Sequence, residues 1–331
     1  MSGPRYHPYA STTPRQPVIN PQNHLPGPFR KTIQGTVLVN GKGTKGQLGL
    51  GSGIEAAYNP CVIETLNGVG IVDISTGYNH SAAIDIEGRV WTWGCNANSA
   101  LGWNGDGWKP ALVDMLNGVR VAAVSCGWSF TLALSDSGYL YAWGSFCDKE
   151  GKATCITNTP QDPLNPICNL GPDERFTAIA TGVSHAMALT TEGRVLTFGH
   201  GLQCQLGRRL IARRAGDGLA PTFLALRKIR LIASGYFHSF AIGEDGTVYA
   251  WGCNDREQTG IPKTQSKAPP LVQTPTKVSA IQGRIKQISA GKFHTYVLYE
   301  NGTVATFGKA IALGIPSVRL VSTGCGRSLA L

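Results

Sequence analysis

The sequence predicts an all-β propeller of six recognisable blades, closed by pairing the N- and C-terminal strands. Three observations carry this. One motif recurs in full as Thr76 to Gly94, Cys126 to Gly144, Thr181 to Gly199, Ser234 to Gly252 and Ala290 to Gly308. Its leading glycines, Gly77, Gly127, Gly182, Gly235 and Gly291, lie 50, 55, 53 and 56 residues apart, room for four short strands per unit. Two half-copies flank the full ones: Gly35 to Gly41 reads as the second strand of the motif, and Thr323 to Leu331 as the first. Joined, they make a sixth unit and remove two exposed sheet edges.

Each element has a local reason. Residues 1–31 hold seven prolines from Pro4 to Pro28, with Arg5, Arg15, Arg30 and Lys31 and no acid. This composition predicts a disordered, weakly basic tail ahead of a propeller over 32–331. In the hairpin, Ser81 to Ile84 is apolar and small, Asp85 to Gly88 is a turn, and Arg89 to Trp93 alternates as a strand does. Leu-Gly steps follow at Leu48-Gly49, Leu101-Gly102 and Leu206-Gly207, read as tight turns towards the outer strands. The gaps from closing to next leading glycine are 36, 33, 38, 36 and 39 residues, but only 16 from Gly308 to Gly324. About half a blade's outer strands could be missing there, so either the sixth blade is small or the chain is incomplete near its end.

The chain of 331 residues carries 30 Lys and Arg against 20 Asp and Glu. That balance favours acidic partners. No apolar run is long enough for a membrane helix, and no membrane partner is expected. Nine scattered cysteines with no C-x-x-C pair fit a reducing compartment, with Cys95 and Cys253 expected in the core. Nucleophile-elbow, phosphate-loop and zinc spacings are absent, so no covalent chemistry, catalytic residue, cofactor or metal is expected. His80, His185, His238 and His294 recur at one phase with no recurring carboxylate beside them. They are expected to hydrogen-bond a neighbouring loop rather than bind a metal. Trp93, Trp143 and Trp251 are expected in the blade core.

Three loops, taken in order, resemble a known family. They are Trp93-Gly94-Cys95-Asn96 with Ala100-Leu101-Gly102, Trp143-Gly144-Ser145-Phe146 with Asp148 and Gly151, and Gly207-Arg208 with Arg213-Arg214. Over residues 35–331 the chain resembles the regulator of chromosome condensation, the nucleotide exchange factor for the small GTPase Ran. The resemblance implies a monomeric, nuclear, chromatin-associated exchange factor, with a cytoplasmic location as the alternative. It implies a β-wedge over 145–152 pushed against the GTPase through Ser145, Phe146, Asp148 and Lys149, with Phe146 at its tip. Arg208 and His80 would hold the GTPase. Arg209, Arg213 and Arg214 would meet nucleosome, histone or DNA, within a run of seven basic residues from Arg208 to Arg230 opposed only by Asp217.

The chain also departs from the family. Trp128 and Ser184 stand where members carry acids facing the GTPase, Phe293 stands where members carry a His, and members have seven blades. These departures favour a scaffold of the same fold without exchange activity as a second reading. A nucleic-acid or nucleosome binder acting through the tail and the arginines is the third.

Overall fold

The computed structural model describes residues 31–147, 153–155, 170, 173–210, 218–262, 271–309, 321–323 and 328–330. The tail expected over 1–31 thus lies outside them, apart from Lys31, which pairs with Asp73.

The architecture is an all-β propeller. Strands β1 (Leu38–Lys42) and β2 (Ala56–Val62) pair with each other. The first full blade is β3 (Ile71–Thr76), β4 (His80–Asp85), β5 (Val90–Gly94) and β6 (Ala111–Leu112), in that order. The second is β7 (Val121–Cys126), β8 (Phe130–Ser135), β9 (Leu140–Cys147) and β10 (Ala153–Cys155). The third is β11 (Phe176–Thr181), β12 (His185–Thr190), β13 (Val195–Gly199) and β14 (Thr222–Phe223). The fourth is β15 (Ile229–Ser234), β16 (His238–Gly243), β17 (Val248–Cys253) and β18 (Leu271–Lys277). Among the described residues the fifth has three strands, β19 (Ile285–Ala290), β20 (His294–Tyr299) and β21 (Val304–Gly308), next to the short spacing in the sequence. Last come β22 (Val321–Thr323) and β23 (Ser328–Ala330).

All strand pairs are antiparallel, and the first strand of every full blade is bulged at the same place, as between Ile71 and Asp73. Bulges sharpen the twist that each blade needs. The two half-units form separate two-stranded sheets, and they count as one blade of six if joined. Among the described residues no pairing joins β1 to β22 or β23, so the expected strand closure is not seen there.

The core lies between blades rather than within them. Each apolar cluster draws on two consecutive sheets: Val37, Ile63 and Leu66 pack on Ala83 and Trp93, and Ala82, Ile84 and Val90 pack on Tyr141 and Trp143. The second strands of the first four full blades are buried along their whole length, and Ala82, Ala83, Ala186 and Ala188 let neighbouring sheets close in. The first-to-second loops (77–79 and equivalents) and the third-to-fourth connections share one face, called the loop face below. The hairpin turns occupy the opposite turn face.

Candidate functional site

The loop face is built from the leading glycines outward. After each one, a backbone N–H reaches to the next blade: Tyr78 donates to the Gly127 carbonyl at 3.2 Å, and Trp128 to Val183, Val183 to Tyr236 and Tyr236 to Gly291, each at 3.1 Å. These bonds set a collar of Tyr78, Trp128, Val183, Tyr236 and Lys292 at the mouth of the ring. Tyr78 and Trp128 stack at 4.2 Å and are both exposed. Trp128 lines a cavity of about 440 Å³ together with Ser184, His200, Leu202 and Phe237, and among the described residues the lining has no acidic or cationic side chain. The positions where the resemblance places acids thus meet at a neutral, aromatic surface.

The repeat histidines face the joints between blades. The Thr131 hydroxyl donates to the Ala100 carbonyl at 2.8 Å, so it accepts from His80 Nε2 at 2.9 Å. Trp143 Nε1 donates to the same Ala100 carbonyl at 2.9 Å. Two further joints repeat the pattern. His185 meets Ser239, whose hydroxyl donates to Gln205, the acceptor of Trp251 Nε1. His238 meets Thr295, whose hydroxyl donates to Gln258. The accepting carbonyl always precedes a Leu-Gly or Thr-Gly step, which explains the motif. Gly207 has φ +66°, and a Cβ there would lie 2.9 Å from Trp251 Nε1, so the next blade's tryptophan rests on the glycine. Burial holds the imidazoles neutral, pushing His80 down to about 4 and His185 and His238 down to about 3.

Two expected contact residues are corrected by their burial. His80 is 1% exposed and bonded to Thr131, so it does not present its ring to a partner. Phe146 is not the tip of an excursion. Strand β9 runs through Ser145 and Phe146 to Cys147 and pairs with β10, matching Phe146 with Thr154. By the two-residue period of a strand Phe146 faces the same way as Leu140 and Ala142, and it is 1% exposed against Phe130 and Phe198. Ser145 is buried as well. Asp148, Lys149, Arg213 and Arg214 lie outside the described residues.

The basic run is divided in space. Arg208, half-buried, donates to the Gly218 and Ala220 carbonyls on the loop-face side of β14, and Arg209 beside it is exposed. Arg227, Lys228 and Arg230 follow β14, at the turn face, where the Lys228 carbonyl accepts the Glu244 N–H and Arg230 donates to Ile285. Other cations on that face meet acids, as in Arg120–Asp136 and Arg284–Glu300. Cys95 and Cys253 are half-buried at the loop face, not in the core as expected. Among the described residues no cluster of His, Cys, Asp and Glu could hold a metal, and no helix is long and apolar enough to cross a membrane.

The relay hydroxyls of Thr131, Ser239 and Thr295 were missed by the sequence reading. Their signal is present, because each directly follows the repeat phase of the histidines.

Comparison with known proteins gives one answer. A family model described as an RCC1-like domain matches residues 36–324. Protein pim1 of Schizosaccharomyces pombe is 37% identical over 313 residues, covering 87% of this chain and 57% of pim1. The regulator of chromosome condensation of Homo sapiens is 30% identical over 299 residues, covering 84% of this chain and 69% of that protein. The crystal structure of Prp20p from Saccharomyces cerevisiae, a protein described with its binding to Gsp1p and histones, superposes with a TM-score of 0.82 at 25% identity, over 91% of this chain and 80% of that one. The chain spans little more than half the length of pim1, and 59% of the Drosophila melanogaster regulator. With the model matching nearly the whole propeller, this chain belongs to the regulator of chromosome condensation family, the family of the RCC1-like domain.

Proposed function

We propose that this chain is a guanine-nucleotide exchange factor for a Ran-type small GTPase, acting in the nucleus at chromatin. One observation carries the reading: β9 runs past its closing glycine, Gly144, to Cys147 and turns back as β10 on the loop face. The connection between them is 148–152, with Asp148 and Lys149 as its first residues. Such a hairpin acts without covalent chemistry. An exchange factor binds the nucleotide-free GTPase more tightly than the loaded form, and by linkage it lowers nucleotide affinity by the same factor. Support also comes from Prp20p, described with its binding to Gsp1p and histones. For chromatin, Arg209 with Arg213 and Arg214 would meet the acidic partner. The test is release of a fluorescent guanine nucleotide from Ran with substoichiometric amounts of this protein. Acceleration supports the reading, and its absence from folded protein removes it.

A second reading, a scaffold without exchange activity, rests on the uncharged lining of the cavity beside Trp128 and Ser184. With Trp128 and Ser184 in place of acids, the loop face offers no carboxylate there to a basic GTPase surface. Trp128→Asp, at an exposed position, is then expected to raise GTPase affinity at low salt by about fivefold, the scale of an exposed ion pair, and to make binding more salt-sensitive. Titration calorimetry at two salt concentrations checks this. An unchanged affinity would show that the missing acid at this position does not limit binding.

A further inference from the structure

One joint of the ring breaks the rule of the others. Between the second and third blades every relay position changes together. Phe130 stands at the histidine phase and Ala186 at the hydroxyl phase, with Phe198 at the tryptophan phase, as Phe307 is on the fifth blade. The Leu-Gly step is also gone, since Glu150-Gly151-Lys152 occupies the place of Ala100-Leu101-Gly102. In its stead lies a cluster in which Phe146 meets Phe130 at 4.5 Å and Phe198 at 5.8 Å, with Leu132, Ala142, Phe176 and Ala186 around it.

The physical reason for a concerted change is the carbonyl. At the joints that carry a histidine the chain after the third strand folds over the next blade to offer a carbonyl to a hydroxyl, and at two of them to an indole as well. A chain that runs on as β9 and returns as β10 does not make that turn. A histidine, hydroxyl or indole left at this joint would then be a buried polar group without its partner, which is costly. Replacing all the members of such a set by apolar groups is close to neutral.

We propose that Phe146 is a positioning residue: the apolar joint of Phe130, Phe146, Ala186 and Phe198 takes over from the hydrogen-bonded joint and seats the β9–β10 hairpin on the loop face. Phe146 supplies the buried apolar group that Leu101 and Leu206 supply at other joints. It touches no partner, and it fixes the strand from which Asp148 and Lys149 depart. The functional consequence rests on the proposed exchange activity, but the seating does not.

The experiment is amide hydrogen exchange on the full chain, comparing wild type, Phe146→Ala, Phe146→Leu and Leu196→Ala. Leu196 is buried in the same cluster on the third blade and serves as the control for lost packing. Phe146→Ala is expected to speed exchange at 145–147 and 153–155 by about tenfold or more while β16 keeps its protection. Phe146→Leu should recover most of it, and Leu196→Ala should not single out β9 and β10. In nucleotide release, Phe146→Ala should lower kcat with KM nearly held. Unchanged exchange at 145–155 in Phe146→Ala, or loss spread evenly over the ring, would overturn the proposal. Should Phe146→Ala fail to fold, Phe146→Val takes its place, and unchanged exchange at 145–155 in Phe146→Val would overturn the proposal equally. A wild type that releases no nucleotide would remove the exchange activity, and the exchange pattern would still decide the seating.

Discussion

Acidification from pH 7 to pH 5 is expected to destabilise the ring by about 6 kcal/mol through three histidines, about 2 kcal/mol each. His80, His185 and His238 are buried and neutral in the folded state, with values near 4, 3 and 3. In the unfolded chain each binds a proton below about 6.5. Between these limits the unfolded state holds more protons, so stability is full above about 6.5 and falls as pH falls towards 4. Each imidazole gives its Nε2 hydrogen to Thr131, Ser239 or Thr295, whose own hydroxyl hydrogen is already committed to a carbonyl. Protonation would place a charge in a joint shut off from water, a cost that at His80 outweighs the favourable backbone groups of Trp128 and Phe130. Denaturant unfolding at pH 7, 6 and 5 checks this. His185→Gln keeps a donor and cannot titrate, so it should reduce the pH slope by about 1.4 kcal/mol per pH unit. An identical slope in that variant would contradict the burial account.

Trp251→Ala is expected to cost about 3–5 kcal/mol, the range for deleting a fully buried large aromatic side chain. Trp251 has no exposed surface, packs with Met187, Leu189 and Ile232, and donates to Gln205 at 2.9 Å. Its removal leaves a cavity at the joint of the third and fourth blades and takes away the ring that Gly207 supports. Trp91→Ala, half-buried within the first blade, should cost less. Denaturation midpoints with an unchanged m-value would report the difference. Equal midpoints for the two variants would mean that the joints do not hold the ring.

The period, the hairpins and a hydrogen-bonding role for the histidines were legible because they repeat. The partners of those histidines were not. Thr131 lies 51 residues beyond His80, on the next blade, and only the closed spacing of blades brings them together. Phe146 was misread for a different reason. The order of loops drew it into an excursion, whereas its parity with Leu140 and Ala142 places it in the core. The arginines from Arg208 to Arg230 looked like one patch because sequence density ignores β14, which carries the chain from the loop face to the turn face between them. The concerted change at Phe130, Ala186 and Phe198 was visible position by position, yet its meaning needed the relay at the other joints.

Under the proposed function, the β9–β10 hairpin on the loop face drives nucleotide release. Stopped-flow release of a fluorescent guanine nucleotide from Ran tests it most directly, with wild type and the Asp148→Ala, Lys149→Ala double variant at matched folded concentration. Wild type is expected to accelerate release at substoichiometric amounts, and the double variant to lose about tenfold or more in kcat/KM, the effect of removing about 1.4 kcal/mol of transition-state stabilisation. Release by the double variant at the wild-type rate would contradict the assignment of the hairpin, and a wild type that leaves the intrinsic rate unchanged would contradict the exchange activity itself.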